Sequence, residues 1–89
     1  MRRVVHGFVS AMTTRLVRDR AHLRAKAVQH LERLRAGLQA MTEPPFEQSD
    51  ENVRQWRTHA TGAAEGFWAV GLLSPEEFEA WVDQLRSVP

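Results

Sequence analysis

One helical face of apolar residues limits the fold of this chain more than any other feature. Between Val5 and Met41 the apolar side chains keep within about 60° of one direction when each residue turns the helix by 100°. They are Val5, Phe8, Val9, Met12, Leu16, Leu23, Ala27, Leu34, Leu38 and Met41. The pattern predicts a helix about 55 Å long at 1.5 Å per residue. Asp19 interrupts the face and suits an N-cap, so a break near Asp19 and a compact four-helix monomer stay open.

The rest of the chain predicts a helical hairpin. Residues 42–50 contain two adjacent prolines, which stop a helix, and we expect Phe46 to anchor this loop. Ser49 or Asp50 then caps a second helix, whose apolar residues recur at helical spacing up to Gly71. The sequence therefore predicts an all-α fold in a single domain, residues 1–89. It comprises a long basic amphipathic helix (1–41), a Pro-containing loop (42–50) and an acidic helical hairpin (51–89).

The segment "GLLSPEEF" predicts a tight corner inside that hairpin. Gly71 is placed to end the second helix in the left-handed conformation, which costs a residue without a Cβ nothing. Ser74 and Glu77 have the spacing of a capping box at the start of the third helix, with Pro75 at its first position. The positive end of the helix dipole stabilises the carboxylates of Glu76 and Glu77 there, which accounts for this acidic pair without a catalytic role. We expect the third helix to bury Phe78, Trp81, Val82 and Leu85.

The longer segment "GLLSPEEFEAWVDQL" resembles the short C-terminal domain abbreviated SHOCT, a bacterial helical hairpin. The matching residues are Gly71, Ser74, Glu77, Phe78 and Leu85. The segment that contains them covers about a sixth of the chain, at its C-terminal end. Val82 departs from the pattern, because the family usually has lysine there. The resemblance implies an association module without an activity of its own.

The charges divide the chain into two parts of opposite sign. Residues 1–40 carry nine basic and two acidic side chains, whereas residues 41–89 carry three basic and nine acidic ones, giving +7 and −6. Part of the positive charge forms a basic stripe beside the apolar face, at Arg15, Arg18, His22, Lys26 and Arg33. Three anionic neighbours fit this stripe: the chain's own acidic hairpin, an acidic partner protein, or nucleic-acid phosphates. No nucleic-acid recognition motif accompanies it.

Helix lengths predict self-association. The hairpin arms, about 30 Å and 18 Å, are too short to cover the apolar face of a helix of about 55 Å. We therefore expect a helical-bundle homodimer, in which a second copy covers the remainder. The expected interface residues are Val5, Phe8, Val9, Met12, Leu16 and Leu23, which we call the N-terminal apolar face, together with Trp68.

Small and aromatic residues of the second helix carry a further expectation. Gly62 and Gly66 each cost roughly 0.8–1 kcal/mol relative to Ala in a helix interior, which suggests that another helix packs closely on them and on Ala69. Trp56 and Trp81 are expected in the core.

Several function classes are excluded or disfavoured. The chain has no cysteine, so thiolate metal sites and a cysteine nucleophile are impossible, and a reducing cytoplasm is compatible. The four histidines lack the spacing of a metal pair, no serine has a base beside it, and no glycine-rich phosphate loop exists. No apolar run is long enough to span a membrane. We therefore expect a cytoplasmic, non-enzymatic interaction protein with no metal or cofactor. The expected partners are a second copy or another protein, and nucleic-acid binding through the basic helix is the alternative.

Overall fold

The fold consists of three α-helices. The structure, a computed structural model, describes the backbone of residues 2–89 and the side chains of residues 18–89. The helices are α1 (Arg2–Met41), α2 (Asp50–Ala69) and α3 (Pro75–Ser87), and no strand occurs over residues 2–89. The predicted all-α class is confirmed. Asp19 has helical backbone geometry, and α2 begins one residue earlier than predicted.

The core lies between the hairpin of α2 and α3 and the C-terminal part of α1. Leu31, Leu38 and Leu85 are completely buried there, and Ala60 and Ala64 let the α2 backbone approach closely. The remaining buried members are Leu34, Leu73 and Val88. The hairpin therefore covers α1 from Ala27 onwards, and the earlier part of α1 extends past it.

A close α1–α2 contact depends on Gly37. The Trp56 indole lies over this residue, and its Nε1 donates to the Leu34 carbonyl over 2.9 Å. A Cβ built on Gly37 would lie only 3.0 Å from the Trp56 ring. Trp56 is thus held by α1 at the edge of the core, with 37% of its surface exposed, and the expectation that it is a core residue holds only in part.

The expected close packing on Gly62 and Gly66 is wrong within the chain. Nothing lies within 4 Å of a Cβ built on either residue, and Ala69 is exposed beside them. The reason is rotational: α2 turns Ala60 and Ala64 towards the core, which places the two glycines on its outer side.

These glycines give a matched pair of substitutions. We expect Gly66→Ala to raise the free energy of unfolding by about 0.5–1 kcal/mol, because alanine is the better helix former and the site is open. Gly37→Ala has the same propensity gain but forces the Trp56 ring to move, so it should give no net gain or a loss. Urea unfolding followed by circular dichroism measures both. Equal stabilisation by the two substitutions would contradict the close contact at Gly37.

The corner between α2 and α3 has the predicted geometry. Gly71 is left-handed (φ 78°), the Gly71 N–H donates to the Trp68 carbonyl over 2.9 Å, and the Leu72 N–H donates to Phe67 over 2.8 Å. These two bonds form a Schellman motif, which satisfies the last carbonyls of α2. The capping box is present as well: the Glu77 N–H donates to Ser74 Oγ over 3.1 Å, and the Ser74 N–H donates to Glu77 Oε1 over 3.0 Å. Both predictions are confirmed.

Arg57 joins α2 to the far end of α3. Its Nε donates to the Leu85 carbonyl over 3.1 Å and its Nη2 to the Val88 carbonyl over 2.6 Å. A guanidinium at a helix C-terminus satisfies free carbonyls and complements the negative end of the helix dipole. The two arms of the hairpin are therefore linked at both ends, by the corner and by Arg57.

The loop before α2 differs from the expectation in one residue. Of the two predicted caps, Ser49 and Asp50, it is Ser49 that caps α2, accepting from the Asn52 N–H over 3.2 Å. Phe46, however, is 68% exposed and does not anchor the loop. Backbone hydrogen bonds hold the loop instead, since the Gln48 N–H donates to the Met41 carbonyl over 2.8 Å.

Candidate interaction surface

The candidate site lies where α1 leaves the hairpin. Leu23 is 54% exposed, although Ala27, one turn later on the same face, is 4% exposed and Leu31 is completely buried. Residues four apart share a helix face, so the covered face of α1 continues into an open one at this point. Leu23 is the last member of the N-terminal apolar face; the other five, Val5, Phe8, Val9, Met12 and Leu16, lie outside the described side chains.

Two arginines of α1 fix the hairpin at this boundary. Arg20 Nη2 donates to the Gly71 carbonyl over 2.8 Å, and Arg24 forms a salt bridge with Glu77. Arg20 lies eight residues and Arg24 four residues before Val28, which packs against the core, so all three share one flank of α1. Sequence reasoning missed this role, although the four-residue spacing leading to Val28 was a usable signal.

The Glu77 carboxyl is held in its charged form by the cap of α3 and by Arg24. Its bond from the Ser74 backbone N–H holds the pKa of Glu77 below its ordinary value of 4.5, and Arg24 lowers it further, against partial desolvation. A carboxyl group with a depressed pKa stabilises the fold above its unfolded pKa, and that contribution is lost as the pH falls through the folded value. The contact between α1 and α3 is therefore fully charged at neutral pH.

The four described residues of the basic stripe do not pair with the hairpin of their own chain. Arg18, His22, Lys26 and Arg33 are exposed, and the one salt bridge among the side chains of residues 18–89 is that of Arg24. Arg15, the fifth member, lies outside the described side chains. The stripe is turned about 100° or more from the face that carries the hairpin, which puts the acidic helices out of reach. Of the three anionic neighbours considered for the stripe, the chain's own acidic hairpin is therefore ruled out for these four residues.

Trp68 lies at the same end of the hairpin, on its α3 side. Its ring stacks on Phe78 with centroids 4.9 Å apart and 12° between the planes, and 41% of its surface remains exposed. Val70, just before the corner, is 69% exposed. Apolar surface is therefore open on the hairpin as well as on α1, near the point where α1 extends past it.

The polar and charged side chains of the described residues are all at least partly exposed to solvent. Among residues 18–89, no polar or charged side chain is buried and no three His, Asp or Glu side chains converge as a metal site. Over the part of the chain that was described, no helix is both long and apolar enough to cross a membrane. Compared with protein-family profiles, with characterised proteins and with solved structures, the chain shows no match.

Proposed function

We propose that this protein is a small non-catalytic interaction module that associates with a second copy of itself and acts as an accessory or regulatory subunit. The observation that carries the proposal is the exposure of Leu23. At 54% exposed, it stands directly before Ala27 and Leu31 on a face that the hairpin covers only from Ala27 onwards.

Helix lengths support the same proposal. At 1.5 Å per residue, α1 has a length of about 60 Å, against about 30 Å for α2 and 20 Å for α3. The apolar pattern of α1 nevertheless continues through Leu16, Met12 and Val9 to Val5. An amphipathic helix buries its apolar stripe against another element, and the same stripe on a second copy is the simplest element of matching length.

The energetics favour association. An apolar side chain of this size contributes up to about 1.5–3 kcal/mol when it is fully removed from water. Six such side chains from each copy supply the driving force for association, which the loss of translational and rotational freedom opposes. The contact is therefore driven by the apolar face, with the charges influencing its geometry.

The first test is the Leu23→Glu variant. We expect the parent to sediment as a dimer, twice 10.2 kDa, at tens of micromolar. Removing Leu23 from both copies should raise the dimer dissociation constant at least about 100-fold, since each tenfold change corresponds to about 1.4 kcal/mol. Analytical ultracentrifugation over a concentration series measures this constant.

Ala25→Glu is the matched control. Ala25 is exposed and lies on the opposite side of α1, so this variant adds the same charge without touching the apolar face. It should dimerise like the parent, and circular dichroism should show unchanged helicity in both variants. A monomeric parent at tens of micromolar, or equal dissociation constants for the two variants, would refute self-association through this face.

A further inference from the structure

The charges of the chain are divided along its length and, among the side chains of residues 18–89, largely unpaired. Residues 1–26 carry seven basic side chains and one acidic one, net +6, whereas residues 41–89 are net −6. Among the described side chains, Arg24 and Glu77 form the one salt bridge between these parts. Each molecule therefore has a positive end on α1 and a negative end on the hairpin.

This division distinguishes the two ways of pairing α1 helices. A parallel pair brings the two positive segments to one end and the two negative hairpins to the other. In both pairs the basic segments lie side by side along the apolar face, but an antiparallel pair separates the two negative hairpins and directs the start of each α1 towards the hairpin of the other copy. Complementary potentials fix the register and orientation of an interface, and like charges placed together oppose it.

We infer that the dimer is antiparallel, with the basic start of each α1 directed to the hairpin of the other copy. This inference rests on the proposed self-association. Its partner is a second copy because one sequence carries the positive segment, the negative hairpin and the apolar face. The acidic groups at the receiving end include Glu76 and Glu79, both exposed on the first turns of α3 beside the Arg24–Glu77 contact.

The apolar face sets the register. Its limits, Val5 and Leu23, are centred on residue 14. The two faces overlap completely in an antiparallel pair only when Val5 of each copy lies opposite Leu23 of the other. Arg2 and Arg3, just beyond Val5, then lie next to the end of the opposite hairpin. Apolar overlap and charge matching therefore select the same arrangement.

Distances between two single labels test the orientation. The chain contains no cysteine, so Ala25→Cys and Gln29→Cys each provide one site for a spin label, and both positions are exposed. In the antiparallel dimer, double electron–electron resonance should give about 40 Å for position 25 and about 50 Å for position 29. These values combine 1.5 Å per residue along the helices with a lateral distance of about 20 Å between labels on the outer sides of two helices whose axes are about 10 Å apart. The increase between the two labels is the diagnostic result.

The measurement distinguishes a wrong orientation of the dimer from the absence of a dimer. Equal distances of about 20 Å at both positions would establish a parallel dimer and overturn the antiparallel inference, while leaving self-association intact. A signal without dipolar modulation, from protein at tens of micromolar, would mean a monomer and overturn both proposals. Circular dichroism of each labelled variant confirms that the fold is retained.

Discussion

Leu31→Ala is expected to lower the free energy of unfolding by about 2–5 kcal/mol, the range for removing a fully buried leucine. Leu31 is completely buried on α1, in a cluster with Leu38, Ala60 and Ala64. Neighbours fixed on α2 can refill the space only partly, so a cavity remains. In a domain of this size the loss is a large part of the total stability. Urea unfolding, followed by circular dichroism at several protein concentrations, measures it.

Leu23→Ala is the matched control for Leu31→Ala. It removes the same atoms from the same helix face, but from a side chain that is 54% exposed. Its effect on stability should be smaller and should depend on protein concentration, because it acts through association. The loss in Leu31→Ala should persist at all concentrations. Similar losses in the two variants at low concentration would contradict the boundary drawn between Leu23 and Ala27.

Gly71→Val should cost about 1–3 kcal/mol through backbone strain at the corner. Gly71 has φ 78°, a conformation that a β-branched residue resists strongly, and an added Cβ would lie 3.0 Å from Arg20 Nη2. A shift of the corner would also disturb the Arg20 bond to the Gly71 carbonyl and loosen the hairpin from α1.

Gly71→Asn is the comparison that isolates strain, since asparagine tolerates the left-handed conformation better than other residues with a side chain. Thermal unfolding should rank the proteins as parent, Asn variant, Val variant, from most to least stable. If the valine variant melts together with the asparagine variant, backbone strain is not what Gly71 relieves.

Local signals made much of the fold predictable from sequence. The left-handed Gly71, the Ser74–Glu77 capping box and the Ser49 cap all came from residue types at fixed spacing. Such features depend on bonds within four residues of each other, so their chemistry is written in adjacent positions. Helical periodicity similarly predicted the all-α class.

Contacts between helices were harder to predict. Leu31, completely buried, did not belong to the predicted apolar stripe because it lies at the edge of that stripe. The glycine that permits a close contact between helices is Gly37, beneath Trp56. Gly62 and Gly66 do not have this role. Composition cannot distinguish a glycine that relieves a contact from one that faces solvent, because the difference lies in the rotation of two helices about each other.

The sequence by itself determined the helices, their caps and the division of charge, since each follows from short-range spacing or from counting. Only the tertiary structure decided which cations meet the hairpin. Arg20 and Arg24 do, whereas Arg18 and Lys26 of the basic stripe do not, because the hairpin packs on one flank of α1 and the stripe lies on another. It also decided where burial on α1 ends, between Ala27 and Leu23, because that limit is set by how far a hairpin of two short helices reaches along a longer one.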